Sequence, residues 1–174
     1  MRTLEDWARV ATIAAGVAAV AALWFTAFQL QHAARASQSQ FWLELRKMMG
    51  EHNNVHMMIR PGGEWRNPGE GPSSVEEWAS VDSYMGLFEH CELMLRKRLI
   101  DAETFTAIYR YRLTNILAND KIVYAKLIKG EKGWQHFIGL LNRVDLSGEL
   151  DLARERARRA VTETGKLSLG PEAL

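Results

Sequence analysis

The sequence predicts an all-α protein, in which an N-terminal transmembrane helix continues into a stalk and then into a small helical bundle. An uncharged apolar run lies near the N-terminus, and apolar residues recur at intervals of three and four through most of the remaining chain. No run of β-branched residues alternates with polar ones, as it would in a strand. At 174 residues, the chain has room for one domain and an appendage.

The composition excludes several classes of protein. Hydrophobic residues make up 47% of the chain and prolines number only 4, which is unlike a disordered or collagen-like chain. The 22 basic and 21 acidic residues give a net charge of +1, so we expect no nucleic-acid partner. A single cysteine, Cys91, excludes an intramolecular disulfide and a cysteine-rich metal site.

Residues 1–31 are predicted to form a membrane anchor. The run Val10–Leu30 contains no charged residue, and as a helix it would be about 32 Å long, close to the ~30 Å hydrocarbon core of a bilayer. A cleaved signal peptide is the competing interpretation, because residues 34–36 read Ala-Arg-Ala. The apolar run is too long for one, and Glu5 and Asp6 offset the nearby arginines, so we predict an uncleaved single-pass span.

The orientation of the span is predicted from its flanking charges, its short N-terminal tail and the single cysteine. Two arginines precede the run and three basic residues follow it closely, so the positive-inside rule gives nearly a tie. A short N-terminal tail crosses a bilayer easily, and a domain with one free thiol suits a reducing compartment. We expect the inner (cytoplasmic) membrane with the C-terminal domain in the cytoplasm, while the opposite orientation stays open.

Small residues repeat along the span at a spacing that lets membrane helices pack closely. Either this face contacts a second helix, or the alanines only reflect the composition of a GC-rich bacterial genome. The candidate packing residues are Ala11, Ala15 and Ala19 in one row, Ala14, Ala18 and Ala22 in another, and Gly16 between them.

A stalk helix is predicted at residues 32–60 and a Gly/Pro-rich loop at residues 61–73. The stalk becomes amphipathic from Phe41. It ends before Pro61, because the residue preceding a proline resists the helical conformation. Three prolines and four glycines follow within 12 residues, which we interpret as a hinge.

Residues 74–146 are predicted to form the bundle. Ser74 and Glu77 match a capping box at the start of one helix, Asp101 is placed to cap the next, and Asn119 marks a break and a new cap. Residues 147–174 carry few large apolar side chains, so we predict a basic helical or frayed tail. The inner faces of the first two bundle helices are predicted to be Trp78, Val81, Met85, Phe88, Glu92, Leu95 and Leu99, and Phe105, Ile108, Tyr109, Leu113, Ile116 and Leu117.

Three segments resemble a known family. FWLELRKMM, VDSYMGLFEHCELMLRKRLIDAETF and YRYRL, after an N-terminal span, are similar to an uncharacterised family of small bacterial single-pass membrane proteins. The resemblance covers Phe41 to Val144, and its most specific part runs from Phe88 to Asp101. It implies a membrane-anchored helical domain of unknown function, and it brings no reaction and no catalytic residue.

The candidates for a metal site are weak. His52 and His56 are four residues apart, so their imidazoles would lie on one helix face, and His90 and Cys91 could complete a zinc site if two helices pack antiparallel. Histidines near a helix C-terminus often only interact with its terminal carbonyls, and a lone cysteine is commonly a core residue. We predict no metal and no cofactor.

A second set of candidates is polar. Glu89 and Glu92 lie on a helix expected to face the core, where a carboxylate needs a partner, and Arg110 and Arg112 could supply one. We interpret the four as an ion-pair cluster, with a ligand pocket as the alternative. Two tyrosines alternate with these arginines and could stack on a nucleobase.

Two functions fit these observations, and neither is catalytic, because the sequence lacks the common nucleotide-binding and hydrolase motifs. The first is a membrane-anchored helical interaction module that self-assembles or serves as an accessory subunit of a larger membrane complex. The second is a membrane effector or sensor, whose cytoplasmic domain binds a small ligand such as a nucleotide and whose span oligomerises to perturb the bilayer.

Overall fold

The structure is a computed structural model that describes residues 22–29, 32 and 39–164. The chain divides into two compact units, Met1–Glu44 and Leu45–Leu174. The described residues of both units are helical or lie in turns and loops, and none is in a strand. The predicted all-α class is therefore confirmed.

Most of the predicted membrane anchor lies outside the described residues. In the first unit, residues 22–29 and 39–44 are helical, and Leu23 and Trp24 are exposed. Within the described residues, no helix has both the length and the apolar character needed to span a bilayer. Of the candidate packing residues only Ala22 is described, and it is exposed; Ala11, Ala14, Ala15, Gly16, Ala18 and Ala19 lie outside the described part.

The second unit, Leu45–Leu174, is called the helical unit below. Helical residues 45–51 are followed by a turn at His52. The further elements are α1 (Asn53–Ile59), a 3₁₀ turn (Glu64–Arg66), α2 (Val75–Arg96), α3 (Ala102–Leu117), α4 (Asp120–Ile122), a π-helix (Val123–Lys129), a second 3₁₀ turn (Glu131–Trp134), α5 (Gln135–Arg143) and α6 (Ser147–Thr164).

The predicted helix starts are confirmed by their capping bonds. The Ser74 hydroxyl accepts a bond from the Glu77 amide at 3.2 Å, and a Glu77 carboxylate oxygen accepts one from the Ser74 amide at 3.2 Å. Asp101 caps α3 through a 2.7 Å bond from a first-turn amide, and Asn119 caps α4 through a 2.9 Å bond. Backbone donors lower the pKa values of both Glu77 and Asp101.

The centre of the helical unit lies between α2 and α5. The fully buried rings of Phe88 and Phe137 meet edge to face with their centroids 6.2 Å apart. Tyr84, one turn before Phe88 on α2, packs against it at 5.3 Å. This aromatic row fixes α2 against α5, and it thereby determines which polar side chains on the two helices can meet.

Two residues predicted for the core are exposed. Leu99 is 54% exposed because α2 ends at Arg96 and the chain turns at Arg98, where φ is 57°; Ile100 is buried instead. Ile108 is 46% exposed. The rest of the two predicted inner faces is buried.

The last helix, α6, contributes to the core of the helical unit. The predicted boundary at residue 146 had instead separated this segment from the bundle as a tail. Leu150, Ala153 and Ala157 on α6 are at most 3% exposed. Two arginines of α6 also donate to backbone carbonyls of neighbouring segments. The alanines gave little sequence evidence of burial, because a small side chain allows a close helix contact but adds little to an amphipathic pattern.

The Gly/Pro-rich loop, interpreted from the sequence as a hinge, is held against the helical unit. Trp65 is only 5% exposed, and the Asn119 side-chain amide donates to the carbonyls of Trp65 at 2.6 Å and of Glu70 at 3.2 Å. Gly63 lies so close to the end of α1 that a β-carbon would collide with two carbonyl oxygens there. Glycine is therefore required at this position by close approach.

Candidate functional site

Glu92 forms an ion pair, but its partner is Arg143. Two bonds of 2.8 Å join the guanidinium of Arg143 on α5 to both carboxylate oxygens of Glu92 on α2. The Glu92 side chain is 6% exposed and that of Arg143 is 37% exposed. The hydrogen bonds that Arg143 donates to the Glu92 carboxylate raise the pKa of Arg143. The prediction of Arg110 and Arg112 as partners was wrong because α2 packs most extensively on α5 and not on the next helix along the chain.

Two further members of that predicted cluster, Glu89 and Arg110, stabilise helix ends. Glu89 accepts a 3.2 Å bond from the backbone amide of Phe137, in the first turn of α5. Arg110 donates to the carbonyl of Val144 at 2.9 Å and to Glu149 at 3.2 Å, across the turn between α5 and α6. The four predicted residues therefore do not share one pocket.

Arg112 lies in a different environment, which we call the Arg112 cluster: Arg112, Tyr84, Tyr111 and His56. The guanidinium donates to the Tyr111 hydroxyl at 3.0 Å and to the buried Tyr84 hydroxyl at 3.3 Å. The His56 ring lies edge-on to Tyr111 at 5.4 Å. Burial opposes the charge of Arg112, but the bonds to the two hydroxyls raise its pKa overall, and burial raises the pKa of Tyr84 to about 12.

His56 is held in its neutral form. It is 7% exposed, and its Nδ1 is buried with no hydrogen-bond partner in the described part of the chain. Burial, together with the positive charges of Arg112 and Arg60, lowers the pKa of His56 to about 4. The imidazole is therefore uncharged at neutral pH.

This lowered pKa of His56 predicts a pH-dependent stability. Below pH 6.5 the unfolded chain takes up a proton that the folded chain binds only near pH 4, so stability is lost as the pH falls through that window. Between pH 7 and pH 4.5 we expect a loss of roughly 2 kcal/mol from this residue. His56→Phe, which retains a ring against Tyr111, should remove that part of the pH dependence in denaturant titrations. The same slope in His56→Phe as in the wild type would contradict this, and exposed His90→Gln is the control.

The other candidates for a metal site, His52, His90 and Cys91, lie in different environments. The His52 ring lies 6.5 Å from that of Tyr84, and His90 is exposed. Cys91 is 1% exposed, and burial raises the pKa of its thiol to about 12, so the thiol is protonated at neutral pH. Across residues 22–29, 32 and 39–164, no three His, Cys, Asp or Glu side chains are grouped to hold a metal ion.

Sequence reasoning missed a second charged contact. Lys126, in the π-helix, places its ammonium 2.7 Å from a carboxylate oxygen of Asp82 and 5.0 Å from the ring centre of Trp78. Trp78 and Asp82 lie one turn apart on α2, but Lys126 comes from a distant π-helix, which has no simple sequence signal. Arg143 and Tyr84 were missed for a related reason, since their roles depend on which helices pack together.

Comparison with known proteins gives no match: no family model, no curated protein and no solved structure matches the chain. The family resemblance described above stays a prediction, and the polar residues are interpreted from their geometry.

Proposed function

We propose that the protein is a membrane-anchored helical interaction module, which assembles with itself or joins a larger membrane complex as an accessory subunit. The observation that carries this proposal is the uncharged run Val10–Leu30, long enough to span a bilayer as a helix. It precedes a compact helical unit, Leu45–Leu174. Its partners would be the lipid bilayer and either a second copy or a larger complex.

Several polar side chains of the helical unit have structural roles. Glu92 and Arg143 neutralise each other, and Glu89 and Arg110 hold helix ends. A catalytic acid or base needs to reach a substrate proton from an open site. These groups are instead engaged in bonds that fix the arrangement of helices.

Exposed apolar side chains support contact with a partner. Ile108 and Tyr111 are 46% and 51% exposed and lie three residues apart on α3, so they share a face of that helix. Met57 on α1 is also exposed. Aromatic residues and methionine are enriched at protein interfaces, which favours these exposed side chains for partner contact.

The proposed location is the inner membrane, with the helical unit in the cytoplasm. The buried, protonated thiol of Cys91 is compatible with a reducing compartment. A protease added to inverted membrane vesicles would then remove the helical unit, whereas intact spheroplasts would protect it.

The span itself is proposed to be part of the interaction surface. Because close packing of membrane helices depends on small side chains, Ala15→Leu with Ala19→Leu should disrupt self-association or docking by filling that face. Val20→Leu adds bulk elsewhere on the span and should leave association unchanged. Chemical crosslinking in membranes compares the two variants with the wild type.

A wild-type crosslinking pattern in both variants would show that the alanines are compositional. In that case the helical unit alone would have to carry the interaction. Loss of crosslinks in Val20→Leu as well would show that the effect of added bulk is not specific to the alanine face.

The second candidate function, a ligand-binding membrane effector or sensor, is favoured by one observation. The Arg112 cluster combines a guanidinium with the exposed ring and hydroxyl of Tyr111 on α3, and the guanidinium is also bonded to the buried Tyr84 hydroxyl of α2. A sensor should be stabilised by one ligand in a thermal-shift screen, whereas an accessory subunit should co-purify with a partner in fixed stoichiometry.

A further inference from the structure

The charge of Arg112 is not balanced by a neighbouring acid. Arg110, two residues earlier on α3, is paired with Glu149 at 3.2 Å. No carboxylate oxygen of the described residues lies within 4 Å of the Arg112 guanidinium, although that side chain is only partly accessible to water. Burial opposes this charge, and the bonds that compensate it go to two neutral hydroxyls, so an anion supplied from outside would add a counter-charge.

The hydrogen-bonding groups of the Arg112 cluster point to the same kind of ligand. Arg112 uses Nε and Nη1 as donors to the oxygens of Tyr111 and Tyr84. Each tyrosine thereby acts as an acceptor. Tyr84 is fully buried, so the donors left for a ligand are the O–H of the exposed Tyr111 and Nη2 of Arg112, which has no acceptor in the described part of the chain. The cluster therefore has donors in excess and needs acceptor oxygens.

Two other arginines act on groups at or near the cluster. The charges that act on the pKa of His56 are those of Arg112 and Arg60, and the cations that act on the pKa of Tyr109 are Arg112 and Arg46. Because the chain as a whole carries a net charge of only +1, this concentration of arginines is local.

We propose that the Arg112 cluster binds a small phosphate-bearing anion. A phosphate presents several acceptor oxygens, and these match a planar guanidinium beside the exposed Tyr111 hydroxyl better than a single acceptor would. The Tyr111 ring, 51% exposed beside the guanidinium, offers a flat surface where the organic part of a nucleotide could stack. The proposal deepens the second candidate function by naming its ligand class and site.

The test is thermal unfolding of the full chain in mild detergent with inorganic phosphate, with AMP, and with sodium chloride at matched ionic strength. We expect phosphate or AMP to raise the Tm while sodium chloride does not, and the two probes separate a free phosphate from a nucleotide as the source. Arg112→Gln should weaken binding at least about tenfold, as expected when a charge-assisted contact is lost. The control, Arg96→Gln, removes the same charge from an exposed position and should bind as the wild type does.

Arg112→Gln also removes the bond to the buried Tyr84 hydroxyl, so its own Tm without ligand is measured first. Should it fail to fold, Tyr111→Phe keeps the ring but removes one hydroxyl, and it should bind several-fold more weakly. Equal Tm shifts with phosphate, AMP and sodium chloride, or wild-type binding in both variants, would overturn the proposal. Membrane pelleting of Arg112→Gln is measured in parallel and reports separately on the anchor.

Discussion

Arg143→Met is expected to lower the free energy of unfolding by about 3 kcal/mol, near the lower end of what is measured when one partner of a buried ion pair is removed. The reason is the asymmetry of the pair, since the Glu92 side chain is 6% exposed and that of Arg143 is 37% exposed. Without Arg143, a buried carboxylate loses its counter-charge and both of its 2.8 Å bonds.

Glu92→Gln should be milder, at about 1–2 kcal/mol, because water can solvate the partly exposed Arg143 that remains. The matched double variant, Arg143→Met with Glu92→Leu, should recover most of the loss, as no unpaired charge is left. Denaturant titration of the four proteins measures these differences. A greater loss for Glu92→Gln than for Arg143→Met would contradict the asymmetry.

Phe88→Ala is expected to have a larger effect, about 3–5 kcal/mol, which is the range for truncating a buried aromatic residue. Phe88 is fully buried and contacts the rings of both Tyr84 and Phe137, so its loss opens a cavity between α2 and α5. The midpoint of thermal unfolding should fall by about 10 °C or more. The control is Ile108→Ala, at a 46% exposed position of α3, which should change stability by less than about 0.5 kcal/mol.

A loss below 1 kcal/mol in Phe88→Ala would show that the aromatic row does not hold α2 against α5. It would also remove the reason for pairing Glu92 with Arg143, because both contacts follow from the same packing of helices.

Local features of the helical unit were predictable from the sequence. The caps at Ser74, Asp101 and Asn119 involve residues within three positions of one another, so a short sequence pattern contains all the information. The end of α1 before Pro61 is local in the same way. These interactions do not depend on how the helices are arranged.

Contacts between distant segments were not predictable. Glu92 and Arg143 are 51 positions apart, and their meeting depends on the choice of α5 as the neighbour of α2. Ala153 and Ala157 are buried because α6 approaches closely, although alanine is a weak signal of a core position. The Arg112 cluster joins α1, α2 and α3. Arg112 and Tyr111 are adjacent in the sequence, but Tyr84 and His56 become their neighbours only when these helices pack together.

The central proposal, an anchor within residues 1–31 joined to a helical interaction domain, is tested most directly by membrane partitioning. The full chain and a variant lacking residues 1–31 are each separated by high-speed centrifugation, and the pellets are extracted with alkaline carbonate. We expect the full chain to pellet and resist extraction, because an uncharged run of this length partitions into the hydrocarbon core of a bilayer. The shortened chain should remain in the supernatant as a folded helical protein. Recovery of the full chain in the supernatant would contradict the membrane anchor.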